Sequence, residues 1–442
     1  MHSPGNSPTV APATEASPQE MRRILASSFI GTAIEYYDFL LYATAASIVF
    51  DTVFFTGVSS GTGQVLAFGT LAAGYFARPL GGIIFGHLGD RLGRKSMLVV
   101  TLVLMGVMST LIGLLPTTEQ IGVAAPLMLV FLRILQGIAV GGEWGGAMLL
   151  GFERAKKGSR GFAASFAYMG APAGTILATL VFSLFSTLPR EDFLSWGWRI
   201  PFLFSAVLAV VGLVIRLKTA ESAVFLQAAE SAKDKQVPLR EIVTRYPRQL
   251  LLAIGAGVSG QAAQGLMGVW ALSYAVKELQ LSSTGVLNVK AVAGVCVIAM
   301  IVVAARMSDR LGRRRVLLGG NVTAIALAFP IMFLLDSGSV FTVFLALFLG
   351  LAGIQSFVAG PYGAYAAELF PTRIRYTGAS LGYQIAAAFG AGLMPITATS
   401  LVLLAGGGLW MVALAWMGVT SISLVALLLS TEGKDRDLHD IA

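Results

Sequence analysis

The sequence predicts an all-α membrane protein with twelve transmembrane helices, arranged as two pseudo-symmetric halves of six helices. Three observations support this prediction. Of the 442 residues, 56% are hydrophobic and 12% are charged, whereas soluble domains have about 25% charged residues. Apolar stretches of about 20 residues, the length that crosses the hydrocarbon core of a bilayer, recur along the chain. A charged five-residue segment also occurs twice, once in each half.

The composition excludes several classes of protein. With so few charged residues and a mean hydropathy of +0.77, the chain cannot form a hydrated exterior, which excludes a soluble globular enzyme and a disordered protein. The single cysteine, Cys296, excludes an intramolecular disulfide. Of the three histidines, His2 and His439 lie in the tails, so we expect no histidine metal site and no cofactor.

The apolar stretches define a domain plan. Residues 1–20, rich in Pro, Ser, Thr and Ala, are expected to form a disordered cytoplasmic tail without the apolar core of a signal peptide. Residues 21–217 form the first half, 218–248 a charged cytoplasmic linker, 249–429 the second half and 430–442 a second cytoplasmic tail. The predicted spans are 24–50, 63–88, 96–115, 124–150, 161–187, 198–217, 249–276, 285–305, 315–335, 340–367, 376–403 and 406–429.

The distribution of basic residues supports this topology. With both termini in the cytoplasm, 25 of the 31 lysines and arginines lie on the cytoplasmic side, four on the other side and two inside helices. Such a bias orients membrane proteins. The net charge of +8 therefore indicates orientation in a lipid bilayer rather than binding to nucleic acid. We expect a multi-pass protein of the inner (plasma) membrane.

The two halves also echo each other in sequence. The segment Asp90–Arg94 (DRLGR) recurs as Asp309–Arg313, after the second span of each half. Glu153 and Glu368 both follow the fourth span of their half. These matching positions predict a duplicated bundle, an architecture typical of secondary transporters with a binding site at the midplane between the halves.

Several segments resemble the major facilitator superfamily. Gly86–Lys95 is similar to its signature between the second and third helices, and Arg133–Gly137 to its fourth-helix motif, which is associated with proton coupling. Five further segments resemble the metabolite:proton symporter family within this superfamily: Ile34–Phe39, Ala77–Gly82, Gly141–Gly145, Trp196–Phe202 and Ala367–Arg373. The resemblance extends from about residue 24 to 430. Residues 193–205 are most similar to the shikimate symporters of this family, whose other members carry α-ketoglutarate, citrate, aromatic acids, proline or betaine.

Charged residues inside spans are costly in lipid and therefore point to function. The second half has no charged residue as deep inside a span as those of the first half, because Lys290 and Glu368 lie near the ends of their spans. We expect charge and proton handling in the first half and mainly neutral substrate contacts in the second. The deep charges are Glu35, Asp38, Arg78, Arg133 and Glu143.

Proton coupling is assigned to four of these residues, Glu35, Asp38, Arg133 and Glu143. Glu35 and Asp38 lie three residues apart on one helix face, and two close carboxylates in a low dielectric do not both ionise readily. Arg133 is expected to pair with one of them in one protonation state, so that protonation releases the arginine. The alternative is that these groups form permanent hydrogen bonds and ion pairs that fix helix packing.

Substrate contacts are predicted from polar and aromatic side chains inside the spans. Arg78 is expected either to bind a substrate carboxylate as a fork or to neutralise a nearby carboxylate. Amide and phenol groups can hydrogen-bond a hydroxyl or a carboxylate, although the same groups also join helices to one another. The remaining predicted contacts are Tyr42, Gln136, Trp144, Gln261, Gln264, Trp270, Tyr362 and Gln384.

The repeated charged segment is predicted to act as a cytoplasmic gate. By resemblance, it holds that side shut while the transporter is open to the outside, and an aspartate there can accept hydrogen bonds from a helix N-terminus. The alternative is a simple positive anchor at the membrane surface. The gate residues are Asp90, Arg91, Gly93 and Arg94, with Asp309, Arg310 and Arg313 in the second copy.

Together these features predict a proton-coupled symporter that imports a small carboxylated metabolite, shikimate or another organic acid, by alternating access. An uncoupled facilitator and a symporter of a zwitterion such as proline or betaine are the alternatives. No plausible nucleophile–base arrangement and no soluble signalling domain is recognisable, so we expect neither an enzyme nor a receptor. The expected partners are protons, the organic acid and lipid, and the expected state is a monomer; sodium coupling and the identity of the metabolite stay open.

Overall fold

A computed structural model describes residues 18–92, 94–141, 144–156, 158–218, 238–372 and 374–434. Throughout these ranges the regular structure is helical, with no strand. Most of the two predicted tails and most of the predicted linker lie outside the described residues.

Twelve long helical segments follow one another in the described chain. Those of the first half are α1 (Pro18–Ile48), α2 (Ser60–Leu92), α3 (Arg94–Leu114), α4 (Ala124–Val140, resuming at Trp144–Arg154), α5 (Arg160–Phe185) and α6 (Arg190–Val214). Those of the second half are α7 (Pro247–Lys277), α8 (Ser283–Leu311), α9 (Arg313–Asp336), α10 (Val340–Glu368), α11 (Arg375–Leu404) and α12 (Trp410–Leu428). Short helices lie between some of them, at Phe50–Phe54, Thr118–Ile121 and Pro238–Arg245.

The lengths of these helices suit a membrane. Eight of them, α5 to α12, are both long and apolar enough to cross a bilayer. α3 and α4 contain shorter apolar helices, Val99–Leu114 and Ala124–Val140. α1 and α2 have 31 and 33 residues, which at about 1.5 Å per residue is more than the thickness of the hydrocarbon core. The order of the helices agrees with the predicted fold class of two six-helix halves.

Large apolar side chains face outward from the bundle. Phe131, Phe333 and Leu404 have 61%, 77% and 76% of their surface exposed. Buried positions include small, polar and charged residues, among them Arg78 and Arg133. This distribution is the reverse of that in a soluble protein, and it places the charges between helices rather than in lipid.

Contacts between helix ends define two faces of the bundle. We call the face where α1 begins and α12 ends the terminal face; there the first turn of α5 contacts Asp309 of α8, and Arg314 of α9 bonds to the end of α12. On the opposite face, Lys277 at the end of α7 contacts Asp51, which follows α1. Successive helices therefore run in alternating directions.

Glycines allow α2 and α4 to cross at very short range. A Cβ added at Gly137 would lie 2.1 Å from the carbonyl oxygen of Gly74, and one at Gly141 would lie 1.9 Å from that of Arg78. Small residues at a helix crossing let two backbones touch inside a membrane. The crossing brings Arg78 of α2 close to the helix that carries Arg133.

Gly137→Ala tests this crossing. The added Cβ meets backbone that cannot move unless α2 and α4 separate, and overpacking of this kind costs about 1–3 kcal/mol. We expect a lower thermal unfolding temperature for the purified variant than for the parent. The matched control is Gly69→Ala on α2, where a Cβ meets nothing within 4 Å. Equal unfolding temperatures for the two variants would contradict the prediction.

Candidate functional site

Two buried arginines lie over one phenylalanine ring in the first half. The guanidinium carbon of Arg78 is 3.8 Å from the ring centroid of Phe39, and that of Arg133 is 3.7 Å from it. Tyr75 lies 4.5 Å from Arg78, and Tyr42 lies 4.1 Å from Arg133. Cation–π contacts between desolvated groups are worth about 2 kcal/mol, so these rings help to hold two like charges in the interior.

The hydrogen bonds of the two arginines are incomplete. Nη1 of Arg133 donates to Oε1 of Gln136 at 2.5 Å and to the carbonyl of Phe39 at 3.5 Å. Nε and Nη2 of Arg133, and the same two atoms of Arg78, are buried and have no hydrogen-bond partner among the residues that the structure describes. Neither arginine forms an ion pair within the part of the chain that the structure describes. Two guanidinium groups thus present free N–H donors inside the bundle.

Asp38 precedes Phe39 in α1 and forms no ion pair with any residue that the structure describes. The residue is 3% exposed, and its Oδ1 accepts no hydrogen bond from the same part of the chain. Its neighbours are the hydroxyl groups of Ser109 on α3 and Ser205 on α6. Among the described residues, Arg133 forms no ion pair with Asp38 or with the buried Glu35. The predicted pairing of Arg133 with a carboxylate of α1 is therefore not present in this conformation.

Gln136 and Ser109 connect Arg133 to Asp38. Gln136 accepts from Arg133 through its oxygen and donates through Nε2 to Oγ of Ser109 at 2.8 Å. Ser109 in turn lies next to Asp38. A change in the charge of Asp38 can therefore reach Arg133 through two uncharged side chains. The sequence indicated Gln136 but not Ser109 or Ser205, because a serine inside a span adds no charge and no periodic signal.

Three helices of the second half contain a π-helical turn, at Leu266–Trp270 in α7, Phe348–Gln355 in α10 and Ala388–Gly392 in α11. Such turns interrupt the regular hydrogen bonding of a helix and are frequent at functional sites. Two predicted contacts lie at or beside them. Gln264 accepts from Gln355 at 2.8 Å, and Trp270 stacks on Tyr274.

Other predicted contacts line the interface between the halves. Gln261 and Tyr362 border a small cavity of about 10 Å³ together with Tyr168 of α5. Gln384 of α11 donates to the carbonyl of Gly141, next to the end of Ala124–Val140, at 3.1 Å. The structure thus gathers these residues along one interface, but not at a single point.

A layer of charged contacts closes the terminal face. Arg313 pairs with Asp309 at 2.7 Å and with Glu368 at 3.2 Å. The Asp309 carboxylate also accepts from the backbone N–H groups of Gly161 and Phe162, each at 2.9 Å, in the first turn of α5. Asp309 therefore joins the two halves by capping a helix N-terminus, where the helix dipole favours negative charge.

The second copy of the predicted gate lies in this layer only in part. Asp309 and Arg313 take part, whereas Arg310 is exposed and its backbone carbonyl accepts from Lys434. The remaining predictions lie outside the described residues: Gly93, Glu143, and the side chains of Asp90, Arg91, Arg94 and Trp144.

An ion pair closes the opposite face. Lys277 lies 2.5 Å from Asp51 and also donates to Gln64 of α2, so it joins α7 to the first half. The sequence did not indicate this pair, because each charge stands at the end of a span and resembles a loop residue. The described residues therefore make contacts between the halves at both faces.

Comparison with known proteins identifies the family of this bundle. The sequence profile of the Major Facilitator Superfamily matches residues 28–395. The chain belongs to the major facilitator superfamily. It is a membrane transport protein and not an enzyme, and the family resemblance of its motifs is confirmed.

Individual relatives agree with this family. The inner membrane metabolite transport protein YhjE of Escherichia coli is 39% identical over 424 residues, which cover 94% of this chain and 95% of that protein. The shikimate transporter of E. coli is 39% identical over 417 residues, which cover 93% and 95%. A partially occluded, inward-open structure of the E. coli xylose transporter XylE has a TM-score of 0.71 at 19% identity, over 94% of this chain and 99% of that chain. The last comparison shows the fold.

Asp309→Asn is expected to loosen the terminal face. The amide removes the charge that pairs with Arg313 and that the α5 N-terminus favours. A loss of about 1.4 kcal/mol corresponds to a tenfold rise in the population that is open at this face. Double electron–electron resonance between spin labels reports that population. The labels are placed at the exposed positions Lys156 and Arg310, in a Cys296→Ser background.

Arg315→Gln is the control for this experiment, because it removes an exposed charge close to the same layer. We expect its distance distribution to match that of the parent. A distribution for Asp309→Asn that also matches the parent would show that Asp309 does not hold this face closed.

Proposed function

We propose that the protein is a proton-coupled symporter that carries a small carboxylated metabolite by alternating access of its two halves. The observation that carries this proposal is the pair of buried arginines at Phe39. They present unpaired N–H donors inside the bundle, next to a buried carboxylate that has no counter-charge in the described chain.

The unpaired donors suit a carboxylate. In both Arg78 and Arg133 the free atoms are Nε and Nη2, whose N–H bonds form one edge of the planar guanidinium group. Two parallel N–H bonds match the two oxygens of a carboxylate. An uncharged sugar would leave both positive charges uncompensated in the interior. The arrangement therefore favours an acid, of which shikimate is one example.

Asp38 is the proposed proton carrier. While the arginines are unoccupied, their positive charge favours the ionised carboxylate of Asp38. Once a substrate anion neutralises them, a second buried negative charge becomes unfavourable and Asp38 binds a proton. Binding of the anion and binding of the proton then favour each other, and thermodynamic linkage makes this effect reciprocal. The contacts through Gln136 and Ser109 supply a physical route for it.

We further propose that the terminal face is cytoplasmic and that the protein acts as a monomer in the inner (plasma) membrane. The excess of lysines and arginines on the terminal side supports this orientation. YhjE, a close relative by sequence, carries inner membrane in its name. Opening toward either side requires that the contacts of that face break while those of the other face hold.

Transport by purified protein in sodium-free proteoliposomes tests the proposal. Shikimate, α-ketoglutarate, citrate, an aromatic acid, proline and betaine are offered in turn, with a pH indicator inside the vesicles. We expect uptake of one acid together with protons. Uptake without proton movement would support an uncoupled facilitator, and uptake of proline or betaine alone would support a zwitterion symporter.

Asp38→Asn is expected to uncouple transport. The amide cannot carry a proton, so a pH gradient should no longer accumulate substrate, whereas exchange of labelled for unlabelled substrate should continue. Asp336→Asn is the matched control, because Asp336 is exposed at the end of α9 and bonds to Tyr274. Retained accumulation in Asp38→Asn would remove Asp38 from the coupling mechanism.

Arg78→Lys is expected to raise KM for the acid about 100-fold, equivalent to about 2.7 kcal/mol, although it keeps the positive charge. An ammonium group is a point charge and cannot offer the paired N–H bonds of a guanidinium edge. Initial rates of uptake measure the change, and Arg315→Lys is the control. A change of less than threefold would show that Arg78 does not bind the substrate through this edge.

A further inference from the structure

Lys290 is a buried cation in the second half. Helix α8 begins at Ser283 on the opposite face, and Lys290 lies two turns further along, a distance of about 10 Å. The residue is 5% exposed. The sequence places Lys290 near the end of its span, and the structure adds that the residue is buried.

The side chain of Lys290 points into the bundle. Val292, Val295 and Val303 are 42–59% exposed and mark the outward side of α8. At about 100° per residue, Lys290 lies about 140–160° around the helix from each of them. Buried Val286 and Val297 lie within about 40° of it on the same side. Lys290 therefore leaves α8 on the side that faces away from lipid.

No counter-charge for Lys290 exists in the described part of the chain. It forms no ion pair and no hydrogen bond there. The helices that pack against α8 are α5, the end of α7, α9 and α10. Their carboxylates stand only at or beyond helix ends: Glu278 and Asp336 are exposed, and Glu368 pairs with Arg313.

A buried lysine without a counter-charge is unfavourable inside a membrane protein, and charged residues in such positions point to function. The seam between α8 and α5 is polar at this level. Asn288 accepts from Ser183, and Thr284 bonds to Ser186, so hydroxyl and amide groups of both halves line this seam within two turns of Lys290, although Asn288 lies about 160° around the helix from it.

We propose that Lys290 binds the carboxylate of the transported acid, as a cationic subsite of the second half on the side of the opposite face. This inference rests on the proposed function, because the substrate is the anion that the transport cycle supplies. It predicts that both halves recognise the acid. The guanidinium edges of Arg78 and Arg133 bind it in the first half, and Lys290 binds it in the second. The substrate must then present a carboxylate to each of these two sites as it crosses the protein.

Lys290→Met separates this role from a structural one. If the lysine is held for substrate, its removal relieves an unpaired charge, and we expect the substrate-free variant to unfold at a temperature equal to or above that of the parent. A structural lysine predicts the reverse, a clear loss of thermal stability. The same variant should lose most of the stabilisation that saturating substrate gives to the parent.

Binding measurements test the carboxylate directly. The probe is the acid that the wild-type protein accumulates, shikimate first, with its methyl ester as the uncharged competitor. We expect Lys290→Gln to weaken binding of the acid about 30-fold, to change binding of the ester less than threefold, and Lys290→Arg to recover most of the acid affinity. Lys156→Gln removes one exposed positive charge and is the control.

The possible failures are distinguishable. If the wild-type protein takes up no acid, the proposed function is wrong. If the wild-type protein transports an acid and Lys290→Gln binds it with unchanged affinity, only the inference about Lys290 is overturned. It is also overturned if acid and ester lose affinity equally, because the lysine then acts through packing, or if only the number of protons per substrate changes.

Discussion

Two like charges buried against one aromatic ring are the constraint on which the rest of this structure depends. Arg78 and Arg133 both lie within 4 Å of the Phe39 centroid, and neither has an acidic partner in the described chain. The glycine crossing of α2 and α4 holds their backbones in place, and the rings offset part of the desolvation. Because the offset is incomplete, we expect an anion bound at this point to stabilise the bundle.

The two closing layers differ in chemistry in a way that suits alternation. At the terminal face, Asp309 is shared between Arg313 and the N-terminus of α5, and Arg375 pairs with Glu153 across the halves at 3.4 Å. At the opposite face, Lys277 and Asp51 form the ion pair. The site at Phe39 lies between these layers, so neutralisation of its charge by substrate and proton can change the relative cost of opening either face.

Much of this architecture could be predicted from the sequence, because spans of apolar residues and costly intramembrane charges are local signals. Arg78, Arg133 and Asp38 stood out for that reason, and Asp309 stood out through the repeated segment. Contacts between distant helices could not be predicted in the same way. Ser109 acquires its role from Gln136 on another helix, and Lys277 acquires its role from Asp51. The isolation of Lys290 from any counter-charge in the described chain also depends on side chains of neighbouring helices, which hydropathy does not reveal.

The proposed mechanism requires that the substrate anion and a proton bind together. Calorimetric titration of the purified protein with the transported acid, in buffers of different ionisation enthalpy near neutral pH, counts the protons taken up on binding. We expect uptake of up to one proton per acid bound by the wild-type protein and none by Asp38→Asn. Binding of the acid with no proton uptake by the wild-type protein, at any pH between 6 and 8, would contradict it.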